Sequence, residues 1–557
     1  MSALLLGAQG AGAQLDQSET STIRKRQPRE EAPAGVPGGS GEVPPTGLPA
    51  ATPPDEADEG TGEGAAAIVL SAVAIQGATA FAPERLNELY ADDLARPLAL
   101  SDLQSLADRI TAFYREQGYL LTRVLVLPQA LDAGVLRLRV IEGAIARVAF
   151  EGAGSERLDL SPYAARITAE RPLTLATLER QLLLIQDLDG LSVADSRVRP
   201  LEKATGDYEL IVTVELDRFD LLSYFGNRGT RSIGPLELWT AVGANSPVGT
   251  GERLQVGSFV VPNQPRELRY YEVLYRQPIG SQGTRLSLLA STSNARPGGE
   301  FDSDEEIDST GLSIELEHPV LRSRAETLRV GLSLDYQDSR QDSLGVTTIE
   351  DRLRVLRLRA DYVADGFLDA THYAGLELSQ GLGILGASEA GAPTLSRSDG
   401  RSDFTKLEGY VSRSQAIGDY IGAQVSFAGQ IAQDPLLSSE EFALGGGQYG
   451  RAYNYYEVSG EHGFAAAGEL RYGQLLEDPW WFDSFQLYGF YDWGMVWNDN
   501  VGGEFASQSL SSTGVGLRLG LLGHLSLDLQ VAQPLTRDPF ETGNNATRYF
   551  FSLTGRF

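Results

Sequence analysis

Alternation of apolar and polar side chains is the feature that most constrains how this chain folds. It is clearest in "HLSLDLQVAQ" (524–533), where leucine or valine at every second position alternates with a polar or charged residue. The same period holds in "LSIELE" (312–317) and "LRVGLSLD" (328–335). Because successive side chains of a β-strand point to opposite faces, this period predicts strands with one apolar and one polar face.

The alternating region runs from Asp217 to Phe557, in segments of about ten residues between loops rich in Gly, Asn, Pro and charged residues. A soluble β-sandwich also alternates, but about ten residues is the length with which a tilted strand crosses a bilayer. The sequence has no apolar run of about 18 residues, the length of a transmembrane helix. At about 20 residues for a strand and its connection, residues 217–557 are predicted to form a transmembrane β-barrel of about 16 antiparallel strands.

The last segment, "ATRYFFSLTGRF" (546–557), places aromatic and leucine side chains on one face and ends on an aromatic residue. An open barrel would expose a strand edge with unpaired backbone groups. A terminal strand that pairs with the first strand removes that edge. We therefore expect the C-terminal segment to close the barrel.

An internal repeat precedes this region. "IQG" (75–77) is answered by "FEG" (150–152), and "RPLALSDL" (96–103) by "RPLTLATL" (171–178), at one common offset. Each copy reads as a strand, a helix and two further strands. In the first copy Ser101 and Gln104 are predicted to form a capping box. The repeat predicts two small α/β domains, residues 67–143 and 144–216.

The N-terminal part, residues 1–66, differs in composition from the rest of the chain. Residues 1–13, "MSALLLGAQGAGA", combine a short apolar run with a small-x-small pattern, which indicates a truncated signal peptide. A disordered Ala/Gly terminus is the alternative. Residues 14–66 are rich in Pro, Gly and acidic residues, and are predicted to be a disordered linker with a possible helix at its start, in "QLDQSETSTIRKR".

Composition excludes several classes of function. With 75 acidic and 46 basic residues, the net charge of −29 argues against binding to nucleic acid. The absence of cysteine excludes disulfides, thiolate catalysis and cysteine-ligated metals. The four histidines have no metal-ligand spacing, and no catalytic constellation is evident. We expect no enzyme activity, no catalytic residues, no cofactor and no metal.

Two motifs stand out in the predicted barrel. "EEFALGGGQYGRAY" (440–453) is a glycine-rich stretch with an arginine, and "FYDWG" (490–494) is an aromatic strand with one aspartate. A charge on the lipid face costs a few kcal/mol, so Asp492 is expected to face the lumen. Arg451 could bind it with the planar fork of its guanidinium. The alternative is that both residues are ordinary solvated charges of the lumen.

At these motifs the sequence resembles the outer-membrane transporters of two-partner secretion, the haemolysin and filamentous-haemagglutinin exporters of the ShlB/FhaC/HecB type, within the superfamily of barrel-assembly insertases. Residues 438–472, "SSEEFALGGGQYGRAYNYYEVSGEHGFAAAGELRY", resemble the signature around the long sixth loop, and "FYDWG" the strand motif F-x-D-x-G. "GYLLTRVLVLPQALDAGVLRLRVIEG" (118–143) is similar to the end of a polypeptide-transport-associated (POTRA) domain. The two repeats would then be POTRA 1 and POTRA 2.

The resemblance implies roles for six residues. Gly450, Arg451 and Tyr453 would belong to a loop folded into the lumen, and the wall motif would consist of Phe490, Asp492 and Gly494. The usual loop motif is Arg-Gly-aromatic, whereas Ala452 stands in the glycine place here. The family's N-terminal plug helix has a counterpart only in the stretch that follows residue 13.

For function, the resemblance implies an outer-membrane translocator whose periplasmic POTRA domains recognise an unfolded exoprotein, which then passes through the barrel pore in two-partner (type V) secretion. Its partners would be the secreted exoprotein, the outer-membrane bilayer and the barrel-assembly machinery that inserts it, with no nucleic acid, and it would act as a monomer. An insertase or assembly factor for outer-membrane proteins is the alternative. The repeat argues against a third class, a plain diffusion porin.

Overall fold

A computed structural model of the chain describes residues 68–131, 134–202, 205–298, 305–476, 481–499 and 506–557. The expected signal peptide, linker and plug helix fall in residues 1–66 and lie outside the described residues. The chain divides into two compact units, one formed mainly by the repeats and one mainly by residues 218–557.

The first repeat folds as an α/β module. Its elements are β1 (Ile68–Val69), β2 (Ala72–Gln76), α1 (Pro83–Asn87), β3 (Pro97–Leu98), α2 (Leu100–Glu116), β4 (Arg123–Val126) and β5 (Val135–Ile141). Strand β5 is central, parallel to β2 and antiparallel to β4. Helix α2 buries Leu103, Leu106 and Ile110 against the sheet. Burial raises the pKa of Tyr114, whose hydroxyl also donates to Glu142 at 2.9 Å.

The predicted capping box of this helix is wrong. Helix α2 begins at Leu100, so Ser101 lies inside its first turn, and Ala99 is the N-cap residue. The side chain of Asp102 caps the helix instead, because its carboxylate accepts a hydrogen bond from the Ala99 N–H at 2.7 Å. Gly118 follows the end of the helix with φ +88°, the left-handed conformation that glycine adopts readily.

The second repeat has the same architecture. Its elements are β6 (Ala144–Glu151), α3 (Ser161–Ala169), α4 (Leu175–Gln186), β7 (Leu191–Glu202) and β8 (Asp207–Leu216). Strand β8 is central, parallel to β6 and antiparallel to β7. Thr174 caps α4 by accepting from the Thr177 N–H, at the position that Ala99 holds in the first repeat. No helix in the described part of the chain is long and apolar enough to span a bilayer.

The second unit is a closed antiparallel barrel of 16 strands, as predicted. The first eight are β9 (Phe219–Gly226), β10 (Glu237–Asn245), β11 (Arg253–Val260), β12 (Leu268–Ile279), β13 (Thr284–Ala295), β14 (Glu305–Arg322), β15 (Glu326–Ser343) and β16 (Val346–Phe367). They are followed by β17 (Ala370–Gly381), β18 (Thr405–Ile417), β19 (Ile421–Ala432), β22 (His462–Leu475), β23 (Phe482–Trp497), β24 (Ser507–Leu521), β25 (Leu525–Pro534) and β26 (Arg548–Arg556). A small hairpin, β20 (Phe442–Leu444) and β21 (Val458–Gly460), lies in the loop between β19 and β22.

The faces of the barrel follow the alternation of the sequence. Leu312, Ile314 and Leu316 of β14 are between 43% and 46% exposed, whereas Ser313 between them is buried. The apolar side chains therefore cover the outer surface, where a membrane supplies an apolar surrounding, and the polar ones face inward. The three longest strands far exceed the ten or so residues expected, with 18, 18 and 22 residues in β14, β15 and β16. A tight turn at Leu344 and Gly345, both with positive φ, joins β15 to β16.

The C-terminal strand closes the barrel, as predicted. Strand β26 pairs with β9 from Ser552 to Arg556, and Phe557 exchanges two backbone hydrogen bonds with Leu221, at 2.8 and 2.9 Å. At the other end of this pairing the Asn227 side chain donates to the Tyr549 carbonyl and accepts from the Phe551 N–H. The first and last strands therefore leave no open edge between them.

Candidate functional site

The long loop between β19 and β22, residues 433–461, lies against the inner face of the barrel. On β23, Tyr491 and Trp493 are 51% and 37% exposed on the outer surface, whereas Phe490 and Asp492 are 5% and 0% exposed. The loop contacts the second set, because Leu444 packs with Phe490 and Val496 in one buried cluster. The loop therefore occupies part of the lumen.

Arg451, at the tip of this loop, is bound to Asp492. Its backbone N–H donates to Asp492 Oδ2 at 2.9 Å, its Nη2 to Oδ1 at 2.9 Å, and its Nε lies 3.1 and 3.2 Å from the two oxygens. The guanidinium carbon lies 3.7 Å from the centre of the Phe490 ring, in a cation–π contact. Ser512 of β24 adds a fourth donor, 3.0 Å from Oδ2. The carboxylate is thus fully paired in a site closed to solvent.

Glu469 of β22 extends this cluster and was not predicted from the sequence. Arg451 donates its Nη1 to Glu469, and Arg471 and Arg518 each reach the same carboxylate at 2.7 Å. Three arginines therefore surround one glutamate beside Asp492, and the side chain of this glutamate is 7% exposed. Glu469 and Arg471 stand two positions apart in "GELRY", so both point inward. That spacing is the signal that could have found them.

Gly450 and Gly494, one from each motif, make room for close packing. A Cβ on Gly494 would lie 2.6 Å from a methyl carbon of Leu444, so only glycine lets the hairpin of the loop approach the wall. Gly450 has φ +97°, and a Cβ there would lie 2.7 Å from Leu510. Both positions thus suit glycine for a definite steric reason.

The turn at the tip explains why alanine stands at 452. The Tyr453 N–H donates to the Gly450 carbonyl at 2.8 Å, and the left-handed residue of this turn is Gly450. Ala452 is absent from the positive-φ residues of the described chain, and its methyl group is fully buried. The Tyr453 hydroxyl lies 3.1 and 3.2 Å from the carbonyls of Ser511 and Arg537. Glycine is therefore needed before the arginine rather than after it.

Two further arginines, also not predicted, hold the backbone of the tip. Arg228, just after β9, donates to the Arg451 carbonyl at 3.2 Å, and Arg548 of β26 donates to the Ala452 carbonyl at 3.0 Å. Their guanidinium carbons lie 4.3 and 5.1 Å from the centre of the Phe550 ring. Because backbone carbonyl groups accept these hydrogen bonds, the bonds do not depend on the side chain at position 452.

The described residues contain no group of three or more His, Cys, Asp or Glu side chains placed to hold a metal ion. The site is a set of ion pairs and hydrogen bonds that holds the loop against the barrel wall.

Comparison with known proteins identifies the family. The family described as "Haemolysin secretion/activation protein ShlB/FhaC/HecB" matches residues 210–519. The chain belongs to this family. A ShlB-type POTRA domain matches residues 68–143, which is the first module. The family consists of two-partner secretion transporters, within the barrel-assembly insertase superfamily, and is not a family of enzymes.

Individual relatives agree with this assignment. The chain is 23% identical to the heme/hemopexin transporter protein HuxB of Haemophilus influenzae over 483 residues, which cover 85% of this chain and 83% of that one. It is 24% identical to the outer membrane transporter CdiB-2 of Burkholderia pseudomallei over 466 residues, 79% of this chain and 75% of that one.

Solved structures share the fold. CdiB from Escherichia coli superposes with a TM-score of 0.72 at 18% identity, over 99% of both chains. BamA from Haemophilus ducreyi lacking POTRA domains 1–3 gives 0.51 at 12% identity, over 88% of this chain and all of that one. At these identities the likeness concerns the fold alone.

The family also fixes the location, as predicted: the barrel lies in the outer membrane and the POTRA domains in the periplasm. Because those domains precede β9, that strand runs outward, and every second connection from there on is an outer loop. The loop of residues 433–461 is then the sixth outer loop, and Arg451 is carried inward from it. The turn at Leu344 and Gly345 is the fourth.

Proposed function

We propose that this protein secretes an exoprotein across the outer membrane through its barrel. Two-partner transporters serve a secreted partner protein, and the chain has the periplasmic and membrane parts that such a task needs. The observation that carries the proposal is the sixth outer loop, held inside a closed barrel by Arg451 and Asp492. A lumen that contains a latched segment suits a channel that opens for a passing chain.

In this proposal the POTRA modules, residues 67–143 and 144–216, capture the exoprotein in extended form. The three-stranded sheet of each module has two outer strands, β2 and β4 in the first module and β6 and β7 in the second. An extended segment can add to such an edge through backbone hydrogen bonds, which demand little of its sequence. This mode suits an unfolded substrate.

The loop then moves to let the chain pass. Gly450, Arg451 and Tyr453 form the part that moves, and Phe490, Asp492 and Gly494 form its resting place on the wall. A buried ion pair specifies a conformation more than it adds stability, so such a latch can define the resting state. The sequence has no GxxxxGK[ST] motif for nucleotide binding, and folding of the exoprotein outside the cell would supply the driving force.

Residues 1–13 would direct export, residues 14–66 would serve as a linker, and the barrel-assembly machinery would insert residues 217–557 as a monomer.

The test compares cells with and without the gene, by quantitative mass spectrometry of the culture medium and of outer membranes. We expect one large protein to disappear from the medium and cell surface while other barrels keep their levels. A fall of several outer-membrane barrels together would instead assign the protein to the insertases. A complemented strain is the control.

A further inference from the structure

Two glutamates at the start of the sixth outer loop have no part in the proposed latch at its tip. Glu440 and Glu441 are 4% and 6% exposed. A carboxylate buried to this extent needs positively charged or hydrogen-bonding partners, because removing it from water is costly. Their partners show how the loop is held at its outer end.

Glu440 is bound to the barrel wall. Lys406 of β18 lies with its Nζ 2.8 Å from Glu440 Oε2 and donates to the Glu440 carbonyl at 2.9 Å. Arg357 of β16 lies with its Nη2 2.7 Å from Glu440 Oε1. Lys406 is itself 2% exposed. One glutamate of the loop is thus fixed by cations from two different strands.

Glu441 is bound to a neighbouring outer loop, residues 382–404. Arg397 of that loop lies with its Nη1 3.3 Å from Glu441 Oε1 and 2.9 Å from Glu461 Oε1. The same nitrogen donates to the Leu436 carbonyl at 3.0 Å. Glu441 directly precedes β20 and Glu461 directly follows β21. Arg397 therefore joins the two legs of the hairpin where it leaves the wall.

These ion pairs lie beside an apolar cluster formed by the two loops and the wall. Leu395 and Phe404 pack there with Leu436 and Leu437, against Leu353 and Val355 of β16. Apolar surroundings strengthen a paired charge and make an unpaired one expensive. The outer end of the loop is thus held by both packing and charge.

We propose that Glu440, Glu441 and Glu461, with Arg397, Lys406 and Arg357, form a second anchor that holds the root of the sixth outer loop while its tip is released. None of these side chains belongs to the cluster around Arg451. Arg397, Lys406 and Arg357 are positioning residues, and the loop would swing about its root rather than leave the barrel. This inference rests on the proposed function, in which the tip moves to let a chain pass.

The test uses single cysteines in the full-length protein, since the native chain has none. Ser439→Cys reports on the root and Ala452→Cys on the tip, both buried positions. Whole cells are treated with a maleimide that cannot cross membranes, and the labelling rate follows local opening. We expect Arg397→Gln to raise the rate at 439 at least about tenfold, and Arg451→Ala to raise the rate at 452 but leave that at 439 unchanged.

Two matched variants show whether charge at this place is what matters. Arg397→Lys keeps the charge and should label at 439 close to the native rate. Arg401→Gln removes an arginine of the same loop whose partner, Asp403, is exposed, and it should change nothing. If Arg397→Gln does not reach the outer membrane, Glu441→Gln, which has nearly the shape of the native side chain, takes its place.

Native labelling at 439 in Arg397→Gln and in Glu441→Gln would overturn the inference. Equal acceleration at 439 by Arg451→Ala would do the same, because the root would then depend on the tip. The readout needs no exoprotein. A failed secretion test would therefore leave the labelling result intact and would count against the proposed function alone.

Discussion

Arg451 binds Asp492 through its backbone as well as its side chain. The backbone N–H and Nη2 each donate at 2.9 Å, to different oxygens of one carboxylate. Asp492 therefore positions the chain of the loop and its guanidinium together. A side chain change at 451 removes one of these bonds and keeps the other.

Arg451→Ala should reduce secretion to background while the barrel still reaches the outer membrane in near-normal amount. The change leaves Asp492 buried with the backbone N–H and Ser512 as remaining donors, and breaking such a pair costs about 3–5 kcal/mol. Exoprotein in the medium and barrel in the membrane are measured by immunoblot. Arg340→Ala, an exposed arginine paired with Asp342, is the control. Normal secretion by Arg451→Ala would refute the latch.

Exchange of the two charges, Arg451→Asp with Asp492→Arg, should not restore secretion. An aspartate at 451 would lie beside Glu469, and an arginine at 492 could not accept the backbone N–H of residue 451. The same secretion assay checks this, with Arg451→Lys as the variant that keeps the charge at its place. Recovery in the exchanged variant would show that the net attraction is enough and that the geometry is not required.

Gly494→Val should prevent docking of the loop and lower secretion strongly. The new side chain would overlap Leu444, whose methyl carbon lies 2.6 Å from the Cβ position. Gly489→Val on the same strand is the matched control, because its Cβ would have its nearest neighbour at 3.9 Å. Leu444→Ala should partly rescue Gly494→Val. If both glycine variants secrete equally well, close contact of the hairpin with β23 is unimportant.

Glu469→Gln should destabilise the barrel, since it removes the charge that three arginines share. We expect a loss of about 3–5 kcal/mol, seen as a lower temperature at which the barrel unfolds in detergent. Glu317→Gln is the control, because Glu317 is 30% exposed at its side chain and lies 3.8 Å from Arg329. An unchanged unfolding temperature in Glu469→Gln would show that the arginines find other partners.

The fold could be read from the sequence because the barrel has one dominant constraint. A strand with one face in lipid must alternate apolar and polar side chains. The alternation in residues 312–317 and 328–335 correctly predicted which face of these strands lies outward. The lengths of β14 to β16 could not be predicted from the bilayer, because these strands continue beyond it. The cap of α2 was misplaced because Ser101 is a common capping residue, whereas the N-cap is Ala99, two positions earlier, and Asp102 supplies the capping carboxylate.

The candidate site could be predicted only in part from the sequence. Alternation placed Asp492 in the lumen, and its pairing with Arg451 is found in the structure, although the role of the pair in secretion stays a prediction. The sequence did not predict the contacts of Glu469, Arg518 and Arg548, because strand register decides which inward-facing side chains become neighbours. That register joins residues far apart in the chain, such as Ala452 and Arg548.

The hairpin of β15 and β16 offers a place for an epitope tag on the outside of the cell. Above Val355, where pairing of β16 with β17 ends, residues 346–354 continue outward, which at about 3.3 Å per residue and the tilt of such strands is a rise of roughly 20 Å. Its tip at Leu344 and Gly345 is far in sequence from both motifs of the latch. An epitope inserted between these two residues would be displayed to antibodies on intact cells, and the arrival of the protein at the surface could be counted without disturbing the lumen.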